Sequence, residues 1–309
     1  MTERLAALSV DLDEIGCYAA IHGLAPPSED AARAIYRKAV PRLRRLFADL
    51  HVPATFFAIG TDLDAENGAA LRGLADDGHE IANHSLSHRY DLTRCDRATI
   101  RREIEGGADA IEEATGRRPS GFRAPGYTIT DEVFDVLRDL GVRYDSSVFP
   151  CPSYYGLKVA AIQAIRARGR RSHSVVDDPR VLTAPANPYR VSRPYWRRGR
   201  GVLELPIGVS RGPRLPYIGT SVVMAGRRGA RWLTRSVIGR PLVSLELHGI
   251  DLADAHEDGL GFLAPHQVDL RRTATEKEAA LRAAIETLRT SGHRFVTCDD
   301  AARAFEATT

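Results

Sequence analysis

Ala54-Thr55-Phe56-Phe57-Ala58-Ile59-Gly60, a helical stretch from Asp64 to Ala75, and His79-Glu80-Ile81-Ala82 follow one another closely in the chain, and their order decides the fold class. The first is a short apolar, aromatic-rich run stopped by glycine, which is how a buried strand reads. The last is a second short strand. A strand, a helix and a strand in succession predict a βαβ unit and therefore a parallel sheet. The pattern extends both ways. Upstream, Leu5 to Val10 reads as a strand, and Leu43, Leu46, Phe47 and Leu50 recur at helical spacing. Downstream come a helix marked by Ile100, Ile104 and Ile111 and closed by Gly116, a strand from Ser120 to Ala124, a helix from Asp131 to Leu140, and a strand from Val142 to Asp145.

Between Phe149 and about Arg200 the alternation lapses into Pro, Gly, Arg and Ser. It resumes with strands at Val202 to Leu205 and Leu242 to Leu247, a helix carrying Leu281, Ile285 and Leu288 and closed by Gly292, and a last strand at Arg294 to Val296. The expectation is one barrel-like α/β domain over residues 1–309, with an irregular Arg/Pro-rich elaboration at about 150–200. The stretch from Trp196 to Arg240 is a candidate lid for a pocket.

With 309 residues, 43% of them hydrophobic and 27% charged, the chain has ordinary globular composition. A net charge of +3 and no recognisable binding module predict no nucleic-acid partner. Cys17, Cys95, Cys151 and Cys298 are scattered and form no Cys-x-x-Cys pair, which argues against a disulfide framework or a thiolate zinc site. The start, Met1 to Leu8, shows no basic region followed by a long apolar one, so a cytoplasmic, soluble protein is expected.

In parallel barrels the reactive residues gather at the C-terminal ends of strands. The notable polar residues of this chain follow predicted strands. Asp11 and Asp13 flank Leu12 after the first; taken alone, such a pair is as readily a helix cap or a solvated turn. In Asn83-His84-Ser85-Leu86-Ser87-His88, two histidines four apart fit one face of a helical turn, close enough for both imidazoles to reach one metal ion. Arg123 begins Arg123-Ala124-Pro125-Gly126-Tyr127, where Pro and Gly make a turn that can aim backbone amides into a pocket. Asp145 sits in Tyr144-Asp145-Ser146-Ser147, and His248 ends the apolar strand Leu242 to Leu247, an unusual place for an imidazole serving only as core filling.

In order and placement these five elements resemble the polysaccharide deacetylases of the NodB-homology type, the carbohydrate esterase family 4-like group, in a divergent branch. The resemblance runs from Asp11 to His248. It implies a distorted, incomplete (β/α) barrel and a hydrolase that removes an N-acyl, in the first instance N-acetyl, group from an amino sugar. It further implies Asp13, His84 and His88 as ligands of one divalent metal, Zn²⁺ first and Co²⁺ or Ni²⁺ next. Asp11 would be the general base, Arg123 its orienting partner, and His248 the general acid tuned by Asp145. A backbone amide at Gly126 or Tyr127 would face the oxyanion. The chain departs from the family pattern in the Leu12 spacer between the aspartates and in lacking a tryptophan after Asp145. With no leader expected, a small, nucleotide-linked or lipid-linked intracellular substrate is favoured over mature cell wall. The run Leu157 to Arg166 reads as an amphipathic helix whose basic end, continued by Arg168, Arg170 and Arg171 and thickened by arginines up to Arg200, is a candidate contact for membrane or phosphate. Two other readings stay open: an allantoinase-like opening of a cyclic amide, and a non-catalytic binder on the same fold.

Overall fold

The computed structural model describes residues 3–306. Among them, nine strands form one sheet with helices packed outside it. Strand β1 (Leu5–Asp11) is followed by α1 (Ile15–His22), a four-residue α2 (Glu29–Ala32), a π-helical turn at Ile35–Ala39 and α3 (Val40–Leu50). Next come β2 (Thr55–Ala58), α4 (Ala65–Asp76), β3 (Glu80–Asn83), α5 (Arg97–Thr115), β4 (Gly121–Phe122), α6 (Asp131–Asp139) and β5 (Tyr144–Asp145). The second half holds α7 (Pro152–Ala167), β6 (Tyr189–Val191), β7 (Arg198–Glu204), α8 (Gly219–Val237), β8 (Leu242–His248), α9 (Ala274–Thr290), β9 (Arg294–Val296) and α10 (Cys298–Glu306).

Local chemistry sets the helix starts. Asp64, Asp96 and Thr130 accept backbone amides at the heads of α4, α5 and α6, and Thr273 with Glu276 makes a reciprocal capping box on α9. Each cap contributes about 1 kcal/mol. In α3 the buried face is Leu43, Leu46, Phe47 and Leu50, as its spacing predicts.

The strand order is β6-β7-β5-β4-β3-β2-β1-β8, parallel throughout except for the β6–β7 pair. Strand β1 is buried along its whole length, as a central parallel strand should be. It pairs with β8 over all seven residues, while β9 and β2 share its other edge, β9 beside Leu5 to Ala7 and β2 beside Ser9 to Asp11. An isolated bridge between Ile218 and Glu246 continues the curl beyond β8, and the sheet is a distorted, incomplete (β/α) barrel. Leu5, Ala7, Phe57, Ala82, Tyr144 and Leu203 fill its interior, and α10 closes the lower end through Cys298, Ala301 and Ala302.

Two expectations need correction. The region at about 150–200 is not uniformly irregular: the helix read at Leu157 to Arg166 is the core of the sixteen-residue α7, which starts five residues earlier at Pro152. Trp196 to Arg240 is no lid either. Its first part belongs to β7 and its last part is α8, which packs lengthwise on α9 in the outer layer and buries Val222, Val223, Ala230 and Val237.

Candidate active site

The singled-out polar residues converge where the strands end. Asp11 closes β1, His84 follows β3, Arg123 follows β4, and His248 closes β8. Register does much of the positioning. Asp11 pairs with His248 across β1 and β8, and Ser9 with Glu246 two residues earlier, so Glu246 and His248 share one face of β8.

The loop carrying the two histidines is not a helical turn. Ser85 and His88 take left-handed conformations, φ 70° and 52°, and this double reversal turns both imidazoles to one side. Helix α5 holds the loop in place. Leu86 N–H donates to the Glu103 carbonyl (2.8 Å), Ser87 donates through its amide (2.9 Å) and hydroxyl (2.8 Å) to the Glu103 carboxylate, and Asn83 Nδ2 donates to the Ile104 carbonyl (2.7 Å). Gly107 makes that approach achievable, since a Cβ there would lie 2.4 Å from Asn83 Oδ1. Glu103 and Gly107 are positioning residues that the sequence reading missed.

Asp13, His84 and His88 are all buried, and their ligand atoms lie within 4.8 Å of one another. His84 Nε2 is 3.3 Å from Asp13 Oδ1, and His88 Nε2 is 3.3 Å from Asp13 Oδ2. The other nitrogen of His84, Nδ1, lies 2.8 Å from the Arg123 carbonyl, which fixes it as the protonated one and leaves Nε2 with a lone pair. Both ring nitrogens of His88, Asp13 Oδ1 and Asp11 Oδ2 are buried with no hydrogen-bond partner. Buried polar atoms cost free energy unless satisfied, and a shared cation satisfies this group. Burial lowers His88 to about 4, against the pull of Asp13. Asp13 is held below the ordinary carboxylate range because the imidazoles of His88 and His84 outweigh its burial. Two imidazoles and a carboxylate also suit an open catalytic metal position. The donor set therefore fits the divalent ion that the resemblance implies.

Arg123 is fully buried with every direction used. Its Nη1 donates to Asp11 Oδ1 (2.5 Å), Nη2 to Ser9 and Ser146 hydroxyls (2.9 Å each), and Nε to the Ser146 carbonyl (2.8 Å), while its guanidinium lies 4.0 Å over the Phe57 ring. Asp11 thus keeps one oxygen locked and the other free, 3.7 Å from His84 Nε2.

On the opposite side, His248 is a fifth exposed at its side chain, with Nδ1 2.9 Å from Glu246 and Nε2 3.3 Å from the Tyr127 hydroxyl. Burial alone would lower its pKa, but the Glu246 carboxylate overrides this and holds it well above the usual histidine value. Asp145 was expected in that role. It lies elsewhere, accepting from Ser147 N–H (2.9 Å) and Oγ (2.8 Å) and abutting Glu204, and the Ser147 hydroxyl in turn accepts from Ala124 N–H (2.8 Å). Burial raises both Asp145 and Glu204, and each carboxyl hydrogen-bonds the other. The signal for Glu246 was present in the alternation Leu245-Glu246-Leu247-His248, which puts an acid on the imidazole's face.

The turn at Gly126 and Tyr127 is left-handed at both residues, φ 62° and 56°. Tyr127 N–H donates to the Ala124 carbonyl (3.1 Å), so the oxyanion expectation passes to Gly126 among the backbone amides, with Tyr127 present through its hydroxyl. Lys158 on α7 donates to the Gly126 carbonyl (2.7 Å). The Arg-rich region splits: Arg166, Arg170 and Arg171 face the side of His88, whereas Arg193 pairs with Asp135 (2.6 Å) near β6 and α6.

Comparison with known proteins gives a consistent family. The polysaccharide deacetylase family model matches residues 30–144. A peptidoglycan deacetylase from Helicobacter pylori is 27% identical over 151 residues, 47% of this chain and 50% of that protein. A chitooligosaccharide deacetylase from Bradyrhizobium is 40% identical over 92 residues, 29% of this chain and 41% of that protein. The chain thus spans half or less of the length of these curated relatives. A solved structure of a protein from Mycobacterium smegmatis assigned as a polysaccharide deacetylase aligns with a TM-score of 0.62 at 19% identity, covering 100% of this chain and 92% of that one. A CE4 family pseudoenzyme from Bacillus anthracis aligns at 0.52 and 13% identity, covering 97% of this chain and 66% of that one. At such identities these neighbours speak to fold alone.

Proposed function

Because the chain belongs to the NodB-homology polysaccharide deacetylases, we propose that it is a divalent-metal-dependent hydrolase removing an N-acetyl group from an amino sugar. The observation that carries this reading is the buried convergence of Asp13, His84 and His88, with unpartnered ligand atoms, between Asp11 and His248. A divalent ion held by those three residues, Zn²⁺ before Co²⁺ or Ni²⁺, supplies Lewis-acid polarisation and lowers the pKa of water towards neutrality.

The chain's own groups divide the remaining work. Arg123 fixes the Asp11 carboxylate through Oδ1 and leaves Oδ2 to take the proton of the attacking water. The Gly126 amide faces the developing oxyanion. His248, kept protonated by Glu246, donates a proton from Nε2 to the departing amine, which leaves poorly without one. The Tyr127 hydroxyl lies 3.3 Å from that nitrogen and can orient the ring.

Among amino sugars, we favour a small substrate carried on a nucleotide or a lipid, turned over in the cytoplasm. Four unpaired cysteines support a reducing compartment. Among the described residues no helix is long and apolar enough to cross a membrane. The test is acetate release from a panel of N-acetylated sugars by the metal-loaded protein, before and after chelation. Release that chelation abolishes and added metal restores supports the proposal. Inactivity across the panel, with hydrolysis of a cyclic amide instead, overturns it.

A further inference from the structure

A cavity of about 1140 Å³ opens beside His88. Its walls are α7, the loop from Ser87 to Arg94, and the strap from Gly169 to Val176. Five arginines line it, Arg89, Arg94, Arg166, Arg170 and Arg171, against one carboxylate, Asp91. Asp91 is already taken by Arg89, whose Nε and Nη2 each lie 3.1 Å from its oxygens. The other four have no carboxylate within ion-pair reach among the described residues, whereas Arg33, Arg42, Arg97 and Arg118 elsewhere in the molecule pair with acids. The strap has a defined seat. His173 N–H donates to the Ala20 carbonyl (3.4 Å), and Arg170 and Arg171 cross Gly23 so closely that a Cβ there would lie 2.9 Å from the Arg171 carbonyl oxygen. Four uncompensated guanidinium groups are thus brought around one concavity that shares His88 with the reacting centre.

We propose that this cavity is an anion subsite taking a phosphate or diphosphate group on the substrate, with Arg94, Arg166, Arg170 and Arg171 as its ligands. The proposal rests on the deacetylase reading of the adjoining site, whose amino sugar the group would tether. The guanidinium fork matches phosphate oxygens two at a time, and neighbouring forks can share a diphosphate. The cavity is slightly larger than ordinary ligand pockets, which run to about 1,000 Å³, so its volume does not exclude a sugar diphosphate. A neutral chito-oligosaccharide would leave the arginines unused, so the subsite selects for charge at a distance from the acetamide.

The decisive experiment is calorimetric titration of the metal-free protein with inorganic pyrophosphate, so that no ion at the active site contributes. Wild type is set beside Arg166→Gln/Arg170→Gln/Arg171→Gln, whose folding is checked by its thermal midpoint. The expected result is saturable binding by wild type that weakens with added salt and falls about tenfold or more in the variant. Equal binding by both proteins, no binding by either, or binding only to vesicles of anionic phospholipid overturns the subsite. A prenyl diphosphate in micelles and a nucleoside diphosphate, titrated in parallel, separate the two sources of the group by which binds more tightly. The two readings fail separately. Pyrophosphate binding without acetate release from any sugar leaves the subsite and removes the deacetylase, whereas deacetylation of neutral sugars without pyrophosphate binding does the reverse.

Discussion

Two buried groups of carboxylate and imidazole meet at the mouth of the barrel, and they differ in what surrounds the rings. In Asp13, His84 and His88 the ring nitrogens face one another and one shared acid, with no donor to spare. In Asp11, Glu246 and His248 the imidazole has an acid at Nδ1 and a hydroxyl at Nε2. Burial acts alike on both, yet His88 is lowered to about 4 while His248 is raised well above the usual value. The first arrangement calls for a cation and the second makes one. The backbone decides which: a loop reversed twice through left-handed residues collects lone pairs, whereas adjacent strands in register place an acid beside an imidazole.

The largest expected effect comes from emptying the first group. Asp13→Ala/His84→Ala/His88→Ala should retain its circular dichroism, lose the metal that elemental analysis finds at about one ion per wild-type chain, and lose roughly a thousandfold or more in turnover. A folded variant that keeps its metal would break the comparison at its root. Next comes Glu246→Gln, with turnover falling about 10-fold to 100-fold. His248 must be protonated to act, so activity is lost as pH rises through its pKa. Removing the acid that raises that pKa moves the alkaline limb of the rate profile to lower pH, by about one unit or more. Asp145→Ala should cost about 2–3 kcal/mol in urea unfolding, by orphaning Ser147 and Glu204, and leave the alkaline limb where it was. A shifted limb would return Asp145 to the role first expected of it.

The smallest effect concerns Lys158, which burial lowers from 10.5 to about 8. Between these values the unfolded chain binds the proton more tightly than the folded one, so folding stability rises with pH across the window. The slope is at most roughly 1.4 kcal/mol per pH unit. Lys158→Met should flatten that rise in denaturant titrations at successive pH values. An unchanged slope would mean that the ammonium is better solvated than its burial suggests.

How far the sequence disclosed all this depends on the range of the interactions. The strand–helix alternation around Ala54 to Ala82 comes from local patterns, and the elements there follow it within a residue or two, whereas β7 starts four residues before the expected Val202. Asp11, Asp13, His84, Arg123 and His248 were visible because each ends or follows an apolar strand. Glu246 and Asp145 exchanged places because choosing a partner for His248 requires knowing that β8 lies beside β1 while β5 lies far around the sheet. The histidine loop read as helical because spacing carries no information about Glu103 and Gly107, which hold it from another helix. Helix α7 was legible over Leu157 to Arg166, but its start at Pro152 was not, because Leu157 is 70% exposed and only Ile162 and Ile165 are buried on it.

The hydrogen bond from Lys158 to Gly126 joins things so far treated apart. Helix α7 is a wall of the arginine-lined cavity, and Gly126 belongs to the turn whose next residue, Tyr127, reaches His248. One 2.7 Å link therefore joins that wall to the carbonyl of that turn. If the cavity holds the far end of a substrate as proposed, this link would tie that hold to the alignment at the reacting end. Trimming the substrate should then slow the chemistry as well as loosen the grip.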